Sequence, residues 1–108
     1  MDEGIVDEDG YPTHYALERI SKWPFIDLEN CFQFIKTIWH FAPHWGWDER
    51  FEPHEFRKNQ TVKRYYISTG GWSGNENIIS SMKNNHMLWA CTWVQSKRGG
   101  HHIFELVE

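Results

Sequence analysis

The stretch Ser68–Ile79, STGGWSGNENII, constrains the fold more than any other part of the chain. Gly70 and Gly71 follow a β-rich run, and paired glycines close a strand with a tight turn because they take positive φ without a steric cost. Trp72 comes next as an aromatic anchor. Ser73 and Glu76 then stand at capping-box spacing, in which the hydroxyl accepts from the N–H at N3 and the carboxylate reaches back to the N-cap N–H. Ile78 and Ile79 continue as an apolar helix face. A strand, a turn, a ring and a helix start are therefore expected in this order.

The flanking spacing fills in the rest. Thr13 is expected to N-cap a first helix carrying Ala16, Leu17 and Ile20 inward, ended by Trp23-Pro24. Asp27 caps a second helix running to about Phe41 or Ala42. Leu28, Cys31, Phe32, Ile35, Ile38 and Trp39 follow helical spacing there, and Pro43 stops it. Thr61–Thr69 is β-branched and aromatic, a strand that can pair with Trp45–Phe51 as a hairpin. The third helix is expected from about Gly74 to Lys83, with Asn84-Asn85 as its stop. Met87–Ser96 is apolar on both faces and reads as a central strand. Lys97-Arg98-Gly99-Gly100 then turns the chain into a last strand, His101–Val107. The order α-α-β-β-α-β-β implies an α+β fold, a three- to four-stranded mostly antiparallel sheet packed by helices.

Charge and cysteine use bound the function. The net charge of −4 is unevenly placed: Met1–Asn30 holds eight acids against Arg19 and Lys22, and the remainder holds seven acids against nine bases. Met1–Gly10 is expected to be an acidic flexible leader, with a strand-like arm through Ile5 and Val6 as the alternative, and 11–108 a single domain. A nearly neutral folded part argues against duplex DNA as a partner. No apolar run is long enough for a membrane span. Cys31 and Cys91 lie in apolar contexts and are expected as buried free thiols, which fits a reducing cytoplasm. Seven Trp in 108 residues raise the expectation of an aromatic recognition surface.

Three motifs then combine. TGGWSGNE at Thr69–Glu76, an apolar strand with Trp93, and SKRGGHHIFE at Ser96–Glu105 resemble a family of small uncharacterised proteins of bacteriophages and prophages. In that pattern a GGWSGNE loop is followed by a Trp-x-x-Ser-x-Arg-Gly-Gly-His turn. Lys97 and His102 depart from it, standing where Arg and Tyr are expected. The resemblance covers Thr69–Glu105 well and the two N-terminal helices only loosely, through Tyr11-Pro12-Thr13 and Trp39. It implies a phage origin and residence in the host cytoplasm, and it carries no activity.

The expected site gathers Trp72, Ser73, Asn75, Glu76, Trp93, Arg98 and His101. A helix N-terminus beside an Arg suits a small anion, and Trp72 or Trp93 can stack on a base. The alternative is structural: Ser73 and Glu76 cap, and Arg98 pairs with Glu76 or Glu105. Glu76 and His101 are also candidates for acid–base work, but no nucleophile motif accompanies them. His40 and His44 flank Pro43 and need not share a face, and neither cysteine has a spaced partner, so no metal or other cofactor is expected. Arg57, Lys58, Lys63 and Arg64 with Tyr65 and Tyr66 can touch a single strand of nucleic acid, diluted by the nearby acids. The leading expectation is a phage accessory protein that binds and antagonises a host (defence) protein and is not an enzyme. A nucleotide- or anion-binding enzyme or carrier using Ser73, Arg98 and His101 is the alternative.

Overall fold

The computed structural model describes residues 4–40 and 46–107. Helix α1 spans His14–Ser21, and Thr13 caps it by accepting from the Ala16 N–H at 3.2 Å. A single 3-10 turn, Phe25–Asp27, leads into α2, Leu28–Ile38. Strands β1 (Trp47–Pro53) and β2 (Thr61–Ser68) follow, then helices α3 (Ser73–Asn84) and α4 (His86–Thr92), then β3 (Trp93–Lys97) and β4 (His101–Val107). The sheet order is β1-β2-β4-β3, every pairing antiparallel. The α+β class and the order of elements are as expected, with α4 added.

Side chains directly opposite across an antiparallel pair share a face. Trp47, Ile67 and His102 thus align with one another, as do Glu49, Tyr65, Phe104 and Trp93. This is the face the helices cover. Phe32 of α2 stacks on Tyr65 with ring centroids 4.3 Å apart and meets Phe104 at 5.6 Å. Around this trio lie Ile20, Ile35, Ile78, Met82 and Leu88, all buried. The other face carries Arg64 between Glu105 at 3.0 Å and Glu52 at 3.8 Å, with Tyr66 donating to Glu52. That face is charged and internally paired.

Several expectations are corrected. Met87–Ser96 is not a central strand: its first part is α4, and β3 is an exposed edge strand. A short apolar run does not by itself distinguish helix from strand. What decides is Asn85, which starts the new helix by accepting from the Leu88 N–H at 3.1 Å. Asn85 also donates to the Ile20 and Trp23 carbonyls, both at 2.9 Å, and so ties α4 to the end of α1. Cys91 is accordingly exposed on α4, while Cys31 is buried and its thiol is pushed up to about 12 by burial.

Helix α2 ends at Ile38, sooner than expected, because Trp39 turns extended and sends its indole N–H to the Ser68 carbonyl at 3.1 Å. The expected stop at Pro43, and the start of the hairpin at Trp45, lie outside the described residues. Asp27 holds the N-cap position of α2 but makes no capping bond; its carboxylate takes Asn30 Nδ2 at 2.7 Å and Trp23 Nε1 at 3.1 Å. Within the acidic leader, Val6 bridges to Pro12, the Thr13 N–H donates to the Ile5 carbonyl at 3.1 Å, and Ile5 packs on the core.

Candidate functional site

Two glycine turns meet at one end of the sheet. Gly70 and Gly71 follow β2, and Gly99 and Gly100 join β3 to β4; all four have positive φ. The Thr69 N–H donates to the Gly100 carbonyl at 3.0 Å, which fixes one turn against the other. The approach is close: a Cβ on Gly100 would fall 2.2 Å from Thr69 Oγ1. The expected juxtaposition of the helix start with the Arg98 turn is therefore present. The side chains within it are used differently from the expectation.

Ser73 and Glu76 form no capping box. Trp72 is the N-cap residue of α3, without a side-chain bond to the helix. Glu76 Oε2 instead accepts from Thr69 Oγ1, and Ser73 Oγ reaches the Tyr11 hydroxyl at 3.4 Å. Thr69 is fully buried, and its hydroxyl rather than the helix backbone takes the carboxylate. Trp72 lies between Tyr11 and His40, with centroids 4.5 and 4.3 Å away, and its ring covers Gly74, where any Cβ would clash at 2.2 Å. Asn75 is completely buried. Its Oδ1 accepts from the His40 N–H, and its Nδ2 donates to the Thr69 and His40 carbonyls. Trp72 and Asn75 thus hold the loop together.

The other half of the expected site diverges. His101 faces the open side of the sheet and shares a 2.6 Å hydrogen bond with Ser68. Glu76 bonds Thr69 and His101 bonds Ser68. Arg98 pairs with neither Glu76 nor Glu105, because Arg64 holds Glu105; among the described residues it makes no ion pair and lies exposed in its turn. Trp93, on the edge strand, is 43% exposed, stacks on Trp89 at 5.8 Å and donates from Nε1 to Ser96 Oγ at 2.8 Å.

The basic and aromatic patch from Arg57 to Tyr66 is split. Lys63 and Tyr65 point into the helix side, where Lys63 Nζ meets Glu49 at 2.9 Å, while Arg64 and Tyr66 are bound up on the open face. Burial disfavours the charge on Glu49, yet hydrogen bonds from Lys63, Trp47 and Lys36 outweigh it and hold the carboxyl below its usual range. No three His, Cys, Asp or Glu side chains among the described residues gather as a metal site.

His102 emerges only in the folded chain. It is buried on the helix side, bonds Ser96 Oγ through Nδ1 at 2.8 Å, and leaves Nε2 buried without a partner. Burial lowers its pKa, against the nearby Glu76 charge, which raises it. The adjacent pair His101-His102 on a strand is the signal, since one of two neighbours on a strand must face the core. Searches among family models, curated proteins and solved structures find no match to this chain.

Proposed function

We propose that this protein works by non-covalent binding, as a small phage-type accessory protein that engages and antagonises a host component. The observation that carries the reading is the state of the β3–β4 hairpin. Arg98 is exposed without an ion pair among the described residues, and Trp93 is exposed on the strand leading to it. Arg and Trp are the side chains that most often dominate binding energies. Each is presented by a rigid neighbour: Trp93 by its stacking on Trp89, and Arg98 by a turn fixed through Gly100 and Thr69. Ser73 and His101 are engaged by Tyr11 and Ser68, so they support the anion-carrier alternative less well.

The test is affinity capture from host lysate with the wild-type chain and with Arg98→Ala and Trp93→Ala. A protein captured by the wild type, lost from both variants while their melting curves stay unchanged, and rebinding as a purified component is the expected result. Capture unaffected by both substitutions would overturn the assignment to this hairpin. A small ligand released from the purified protein, with no protein partner, would favour the carrier.

A further inference from the structure

A second feature lies away from that hairpin, at the end of α1. An open cavity of about 460 Å³ is lined there by Tyr15, Arg19, Trp23 and Pro24, together with Glu18, Lys22 and Asp27. Its volume is within the usual range for small-molecule sites. The Arg19 guanidinium lies over three rings, 4.6 Å from the centroid of Phe34, 5.0 Å from Trp23 and 5.8 Å from Tyr15. Trp23 is backed by Phe34, their ring centroids 5.4 Å apart.

Among the charged side chains around the cavity, all but one have a hydrogen-bond partner. Glu18 takes Lys22 at 2.6 Å through Oε1 and His14 at 3.6 Å through Oε2. Asp27 accepts from Asn30 through Oδ1 and from Trp23 through Oδ2. Arg19 alone has no carboxylate: among the described residues it makes neither an ion pair nor a side-chain hydrogen bond. A planar guanidinium fork matches a carboxylate with two parallel bonds.

We infer that this cavity binds a small planar aromatic monocarboxylate, its carboxylate on Arg19 and its ring against Trp23 and Tyr15. One unmatched cation beside two acids suits a single negative charge rather than a phosphate dianion, and an aromatic wall suits a flat ring.

The test uses the intact protein with indole-3-acetate as probe, followed by calorimetry and by ligand-observed NMR. Indole, which lacks the carboxylate, and adenosine monophosphate, which carries a phosphate, serve as comparisons. Saturable binding of indole-3-acetate is expected, weakened at least about tenfold by Arg19→Gln and similarly weaker for indole. Arg19→Lys keeps the charge and loses the fork; it is expected to weaken binding too, and it carries the test should the Gln variant fail to fold. Absence of saturable binding at millimolar probe overturns the inference. So does equal affinity for indole, tighter binding of adenosine monophosphate, or full affinity in the folded Arg19 variant.

Discussion

Asn75 holds the backbone of His40 from both sides, accepting from its N–H at 3.0 Å and donating to its carbonyl at 3.3 Å. A third bond, to the Thr69 carbonyl at 3.2 Å, ties the same carboxamide to the loop before α3. One side chain thereby joins the segment after α2, the glycine loop and the first turn of α3. Asn75→Ala would strip three backbone groups of their partner in a buried place. It should cost about 2–4 kcal/mol, measured as a shift in the urea midpoint. An unchanged midpoint would mean that these groups find other partners.

Gly100 is pressed against Thr69 and has a φ of 81°. Gly100→Ala combines an unfavourable backbone region with a clash against a hydroxyl that serves Glu76. A loss of about 2–3 kcal/mol is expected in chemical denaturation. Gly71→Ala has the same sign of φ but open space around it, so it should cost less.

Glu49 lies between two ammonium groups, Lys63 at 2.9 Å and Lys36 at 3.1 Å, and also accepts from the Trp47 indole at 2.9 Å. Lys63 is buried, so removal of its partner leaves a charge without compensation. Glu49→Gln should destabilise by about 2–4 kcal/mol, whereas Glu18→Gln, on an exposed pair with Lys22, should cost much less. The comparison of the two melting shifts checks it.

His102 links stability to pH. Burial lowers its pKa in the folded chain, so the unfolded chain takes up the proton first as pH falls. Its contribution is present in full above the unfolded value of about 6.5, declines below it, and levels off beneath the folded value. Wild-type protein should therefore lose stability on acidification from neutrality, and His102→Gln should lose less over the same interval. Equal pH dependence in the two proteins would exclude this residue as the source.

Arg98 makes no ion pair among the described residues, so Arg98→Ala should change stability by no more than about 0.5 kcal/mol. A melting temperature several degrees lower would give Arg98 a structural duty and remove it from the binding surface.

The parts of the fold that were legible from spacing are those with one dominant period. The stripe Leu28, Cys31, Phe32, Ile35, Ile38 announces α2, and its residues are buried as that stripe requires. The β1–β2 hairpin and the Gly99-Gly100 turn were legible from β-branched residues and paired glycines. Met87–Ser96 was not, because alternation over a short apolar run mimics a strand and Asn85 can end one helix or begin another. The site was legible as a place more than as a set of partners. The Thr69 hydroxyl draws Glu76 away from the capping role, and no local spacing encodes that Glu49 claims Lys63 or that Ser68 claims His101.

The register between β3 and β4 skips at Val94, so that Trp93 faces Phe104 while Gln95 faces Ile103. The outer rim of the sheet thus carries a bulge, followed by the positive Lys97. The opposite rim, β1, ends in Pro53 and bears Asp48 and Arg50. On the β3 rim the bulge interrupts the straight run of backbone groups onto which another chain could add a strand. A tryptophan thus stands at this margin of the sheet without an uninterrupted strand edge beside it to template the addition of another chain.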